Sequence, residues 1–173
     1  MIHATYSVCR QRSLRIHGLG LCGSFSSVTA PDGGATEKEF VKRKVALTLG
    51  FVGSKYYGLQ YNPAVPLPTI EHDVLSALYK AGYISGLNAM NPVKVKLSRA
   101  SRTDKGVHAV RTVLSLKLLV PRAKLTQVGH GSNSYLPFLP AEVNKFLPMD
   151  IRIFGAVTTN SSFAAKTVCW FCR

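Results

Sequence analysis

From residue 44 to residue 157 the apolar residues switch between two spacings, every second position and every third or fourth, and this order restricts the fold more than any other feature of the chain. Val45, Leu47 and Leu49 alternate with Ala46 and Thr48 in residues 44–52, with Gly50 and Gly53 at the end, so the run predicts a strand. Ile70, Val74, Leu78 and Ala81 recur at steps of four, four and three behind Thr69, a favourable N-cap. Glu71 and Asp73 stand in the first turn of that helix, where its dipole favours acids, and Gly82 ends it. Residues 93–97 alternate again as a short strand, and residues 107–120 form a long β-rich run containing Val110, Val113, Leu114, Leu116 and Leu118. Asp104-Lys105-Gly106 has the composition of a tight turn joining these two strands. Residues 121–137 read as a polar loop, 140–146 as a short helix opened by Pro140 with Glu142 in its first turn, and 151–157 as a last strand. The order β-α-β-β-α-β predicts an α+β, ferredoxin-like fold, an antiparallel sheet with both helices on one face.

Such a sheet leaves its other face open to a ligand, and composition indicates which kind. The 173 residues carry 22 Lys and Arg against eight Asp and Glu, a formal charge of +14, which points to a polyanion, most simply nucleic acid. RNA recognition modules share this order of elements, although their aromatic RNP1 signature is absent from the central strands. Length predicts one domain, and no run reaches the roughly 18 to 20 apolar residues of a membrane span, so no membrane partner is expected. Four cysteines are too few for a disulfide scaffold, and reduced thiols are expected.

The first 31 residues hold Arg10, Arg12 and Arg15, five serines and no acid before Asp32, the composition of a mitochondrial presequence. Residues 1–36 are therefore expected to be a targeting or disordered arm, with mitochondrial localisation, the nucleus or cytoplasm being the alternative. Beyond position 36 there remain 19 basic against seven acidic residues, a net +12, so the body at 37–173 itself attracts an anion.

Two motifs are decoys. Gly18, Gly20 and Gly23 spell a dinucleotide fingerprint, but Pro31 and Gly33-Gly34 follow where that motif requires a helix. Cys169 and Cys172 form C-x-x-C without the second ligand pair a structural zinc needs, so no metal is expected. Chemistry concentrates instead in residues 98–108, where Asp104 stands among Arg99, Arg102 and Lys105. Nearby cations favour an ionised carboxylate, as a nucleophile or base requires, whereas an acid in a purely phosphate-binding loop would repel its ligand. A plain Asp-x-Gly turn accounts for the same residues without chemistry.

The run Arg99-Ala100-Ser101-Arg102-Thr103-Asp104-Lys105-Gly106-Val107-His108-Ala109 closely resembles the catalytic motif of the TruA family of tRNA pseudouridine synthases. Companion stretches agree in order and spacing. Gly50 to Gln60 is similar to the family's first strand and Tyr-x-Gly-x-Gln loop, and Thr69-Ile70-Glu71 to the start of its first helix. Val143 to Pro148 with Ile151-Arg152-Ile153 is similar to its Asn-x-x-Leu-Pro segment and next strand, and Phe163-Ala164-Ala165-Lys166 with Cys169 to a motif of the eukaryotic nuclear and mitochondrial branch. The resemblance implies isomerisation of uridine to pseudouridine in tRNA with no cofactor, on half of the pseudouridine synthase fold. It implies Asp104 as the catalytic aspartate, attacking ribose C1′ or removing the 2′ proton. It gives Arg102 the place of the displaced base, Arg99 and Lys105 the RNA backbone, and Tyr56 and Tyr57 the shaping of the RNA path by stacking. His108 reads as a structural strand residue.

The resemblance covers residues 45–169 and ends where the family enters a tyrosine-bearing strand, so 37–173 corresponds to its N-terminal half with the C-terminal half absent. Trp170 and Phe171 are the aromatic residues at that point. Three accounts follow: a fragment, an enzyme completed by a homodimer or a complementing half, or a non-catalytic RNA-binding or ribonucleoprotein scaffold protein descended from the family.

Overall fold

In a computed structural model, residues 39–62, 64, 66–126 and 133–167 are described. The presequence-like arm, the glycine decoy, Cys169, Cys172, Trp170 and Phe171 lie outside these residues. Four strands form one sheet: β1 (Phe40–Phe51), β2 (Ser98–Arg99), β3 (Ala109–Pro121) and β4 (Ile151–Thr159). Their order is β2-β3-β1-β4, every neighbouring pair antiparallel, which is the ferredoxin-like arrangement that the sequence predicts. Four helices accompany them: α1 (Ile70–Lys80), α2 (Gly86–Ala89), α3 (Arg122–Thr126) and α4 (Phe138–Val143).

Register explains the core. Pairing of Val45 with Leu116 and Leu47 with Leu114 puts branched side chains side by side on one face of the central strands. Ile70, Val74, Leu75 and Leu78 of α1 and Leu139 and Val143 of α4 bury against that same face in one cluster. Both principal helices therefore lie on one side of the sheet. On the other side Ala46, Thr48 and Val113 keep partial exposure, and a 3₁₀ turn (Ala165–Thr167) reaches that side through the Ala165 amide, which donates to Ser115 Oγ at 3.1 Å.

Several boundaries differ from the sequence reading. Residues 93–97 are turns: Lys94, Lys96 and Leu97 donate backbone bonds to Asn91, Val93 and Pro92, and the strand is the pair Ser98–Arg99 just beyond. Val93 and Val95 imitate strand alternation, yet Val93 is exposed and Lys96 takes a left-handed φ of 50° that no strand tolerates. Strand β1 begins at Phe40, earlier than the hydropathy suggests, because exposed Lys42 and Arg43 hide a stretch whose backbone pairs with 118–121. The loop expected at 121–137 contains the short helix α3, and the second principal helix runs from Phe138 to Val143, short of Phe146.

Lys44 is the one buried lysine among the described residues, 7% exposed, with its Nζ donating to the Lys96 carbonyl at 2.7 Å. Burial, and then the charges of Lys117 and Lys96, hold its pKa below 10.5. Between that lowered value and the unfolded value of 10.5 the folded chain binds fewer protons than the unfolded chain, so stability rises as pH climbs through this window. As pH climbs toward 10.5 the denaturant midpoint of the parent chain is expected to gain on that of Lys44→Met, a difference that isolates Lys44 from Tyr56 and Tyr83, whose raised pKa values act in the opposite direction near pH 10.

Candidate active site

Asp104 sits in the nine residues, 100–108, that connect β2 to β3. Where the sequence suggests a tight hairpin, the structure has an excursion held from outside. Ala100 N–H still donates to Val113 O at 2.9 Å, but Thr103 O then accepts from Leu59 N–H at 3.3 Å and Gly106 N–H donates to Tyr56 O at 3.1 Å. The aspartate loop therefore leans on the loop at 53–60. Within it Val107 N–H closes a turn onto Asp104 O at 3.3 Å, and Gly106 takes φ +77°.

Glycines permit this close stacking. A Cβ on Gly58, whose φ is +105°, would stand 2.6 Å from Thr103 O, and one on Gly53 would collide with the Val107 carbonyl. The same loop caps α1. Thr69 occupies the N-cap position with extended backbone, as the sequence indicates, but its hydroxyl makes no capping bond. Gly58 O and Leu59 O instead accept from the Ile70 and Glu71 amides at 3.2 and 3.0 Å, using donors that a helix start leaves open. Leu59 thus links helix start and aspartate loop through the two ends of its own peptide backbone.

Glu71 locks the other side. Its carboxylate, fully buried, accepts from Arg99 Nε at 2.5 Å, from Arg99 Nη2 at 3.0 Å and from the Tyr61 amide at 2.8 Å. Burial raises the Glu71 pKa, against the opposing pull of Arg99 and the Tyr61 N–H. Arg99, on β2 directly before the aspartate loop, is thereby committed to α1. Sequence reading gives Glu71 only a helix-dipole role, because nothing in one dimension signals that it meets Arg99.

The remaining expected residues separate into two environments. Tyr56 is buried, and its hydroxyl donates to Asp73 Oδ2 at 2.9 Å, so its ring anchors the 53–60 loop to α1. Burial and then the Asp73 bond push its pKa well above the usual tyrosine value. Tyr57 is half exposed, with Lys105 Nζ 4.3 Å from its ring centroid, a cation–π contact at the surface. Arg102 and Asp104 are exposed. The Asp104 carboxylate has no hydrogen bond or ion pair among the described residues, and none of Arg99, Arg102 and Lys105 forms an ion pair with it. His108, expected within the strand, stands exposed just before β3 begins. What the fold brings together is thus an exposed, unpartnered aspartate, an exposed arginine two residues before it and an exposed lysine directly after it, on a loop pinned by backbone at both sides.

The fold is an antiparallel ferredoxin-like sheet, and the site is an exposed aspartate on the loop between β2 and β3. No family model matches the chain. Among curated proteins it is 44% identical over 128 residues to tRNA pseudouridine synthase 1 of Schizosaccharomyces pombe, covering 74% of this chain and 21% of that protein. It is 38% identical over 135 residues to tRNA pseudouridine synthase 1 of Yarrowia lipolytica, covering 78% and 22%, and 38% identical over 123 residues to tRNA pseudouridine(27/28) synthase of Saccharomyces cerevisiae, covering 71% and 29%. Over about three quarters of its length the chain is thus similar to eukaryotic tRNA pseudouridine synthases of the TruA family. The matched region amounts to about a fifth to under a third of the length of these relatives.

Gly58→Ala adds both left-handed strain and a collision with Thr103 O, whereas Gly106→Ala meets no atom within 4 Å and adds strain alone. Urea unfolding is expected to show a loss of about 1–3 kcal/mol for Gly106→Ala and a larger loss for Gly58→Ala. Equal losses would mean that the two loops are not in contact.

Proposed function

We propose that this chain supplies the catalytic-aspartate segment of a tRNA pseudouridine synthase, with Asp104 as the catalytic group. The observation that carries the reading is the Asp104 carboxylate itself: exposed, free of internal partners and borne on a loop whose backbone is fixed on both sides. A carboxylate spent on a structural ion pair is unavailable to a substrate, as Glu71 illustrates. Asp104 has no such commitment among the described residues, and similarity to tRNA pseudouridine synthases together with the eleven-residue motif supports the assignment.

In this reaction the C1′–N1 bond of uridine breaks, the base turns, and C1′ bonds to C5 while the C5 hydrogen leaves as a proton and N1 gains one. Asp104 acts on the ribose, at C1′ or at the 2′ proton. Arg102 fills the space the base leaves, and its planar guanidinium serves either a stack or a phosphate. Lys105 meets backbone phosphate next to the Tyr57 ring. Arg99 acts through Glu71 by positioning the loop, and Tyr56 acts through Asp73 in the same way. No cofactor enters the reaction. Residues 1–36 direct the protein to the mitochondrion, which a reporter fused to those residues tests; a diffuse cytosolic signal contradicts it.

Tritium release from tRNA labelled at uridine C5 measures the reaction. The 173-residue chain is expected to release tritium, alone or as two copies that complete one another, and Asp104→Asn is expected to reduce release to background while still binding tRNA. Equal release by both proteins would refute the role of Asp104. Binding with no release from either would fit both a segment that needs the rest of a synthase and the second reading, a non-catalytic RNA-binding protein, for which the net +12 of residues 37–173 speaks independently of Asp104.

A further inference from the structure

A groove of about 670 Å³ opens beside β2, on the side of the aspartate loop that carries Arg102, and Asp104 does not line it. Its walls include Lys44, Lys96, Ser98, Arg102, Ser161 and Lys166, and no carboxylate lines it. The volume lies within the roughly 300–1,000 Å³ of ligand sites. Arg99 also borders the groove, but its guanidinium is held by Glu71. The other four cations have no carboxylate partner among the described residues.

Lys44 makes the site more than a basic surface. Its residue is 7% exposed, and the one bond of its ammonium is to the carbonyl of Lys96, a residue with left-handed backbone. A buried ammonium normally sits against an acid, since removing a charge from water costs several kcal/mol unless it is paired. Here its nearest charges are cations, Lys117 and Lys96, and no carboxylate lines the groove, so an anion entering the groove would meet this ammonium without competition from an acid. Serine hydroxyls beside lysines and arginines are the donor set that contacts phosphate oxygens in nucleic-acid interfaces. Arg102 is two residues from Asp104, at most about 7 Å along the chain, so a strand lying in the groove passes directly by the aspartate.

We propose that this groove holds the phosphodiester backbone of the RNA strand that delivers the uridine to Asp104, with Lys44, Lys96 and Lys166 as its phosphate contacts. The proposal rests on the RNA reading above and adds the path of the strand. It differs from a general attraction to positive charge because it assigns the contact to these lysines and leaves others out, such as Lys80 at the exposed end of α1.

The test is tRNA binding by the 173-residue chain over a series of salt concentrations, with Lys44→Met, Lys96→Gln, Lys166→Gln and Lys80→Gln. Each phosphate contact in a single strand contributes about 0.7 to the slope of log K against log salt. Each of the three groove variants is expected to flatten the slope by about that amount, and Lys80→Gln is expected to leave it unchanged. Lys96 and Lys166 are exposed, so their variants keep the test valid even if Lys44→Met fails to fold. Groove variants with the parent's slope and affinity would overturn the groove while leaving RNA binding intact. A parent chain that does not bind tRNA would overturn the RNA reading itself. Inorganic phosphate at matched ionic strength separates the two sources of the anion: competition no stronger than chloride's is expected. Displacement of phosphate by the substitutions with tRNA binding unaltered would overturn the proposal in favour of a small-anion site.

Discussion

The buried Glu71–Arg99 pair is the interaction on which the presentation of Asp104 depends. Two nitrogens of one guanidinium and a backbone amide saturate a carboxylate that has no access to water, at the point where α1 starts and β2 ends. Removing one member of such a pair leaves an uncompensated charge, at a cost of about 3–5 kcal/mol, while the intact pair adds little net stability. Its contribution is placement. It fixes the strand that leads into the aspartate loop against the helix that the neighbouring loop caps, so three segments far apart in sequence share one geometry.

That geometry divides the charged residues of the motif by task. Arg99 faces inward and is neutralised; Arg102, Asp104 and Lys105 face solvent. A run of residues that reads as one cationic cluster around an acid is, in space, one structural arginine and three exposed groups. Tyr56 and Tyr57 divide in the same way, the first bonded into the fold and the second exposed beneath Lys105. The sheet beneath is a platform whose helix side supplies stability, leaving the opposite side and the end of β2 open to a ligand.

Much of this was legible in one dimension. Strands β1, β3 and β4 and helix α1 follow from period because their apolar residues face a single core, and sheet order follows from their succession. Strand β2 lies beyond the predicted run because Val93 and Val95 alternate within a turn, where Val95 is buried in the core and its carbonyl accepts from Lys117 N–H of β3 at 2.7 Å without the segment forming a strand. The exposed aspartate was found through its motif, not its physics. The frame that holds it was hidden, since Gly58, Glu71 and Leu59 act through partners 28 to 45 positions away, whose proximity only the fold creates. The groove was hidden for the same reason: Lys44, Lys96 and Lys166 lie on three separate segments.

The Asp104 loop is held by its neighbour and by the Glu71–Arg99 pair. Amide hydrogen exchange at Leu59 and Gly106, the two donors that join the loops, tests it most directly. In the parent chain both amides are expected to exchange slowly, at rates like those of α1, and in Glu71→Ala both are expected to lose protection while the central pairing of β1 with β3 keeps it. Fast exchange at both amides in the parent, or unchanged protection in Glu71→Ala, would contradict it.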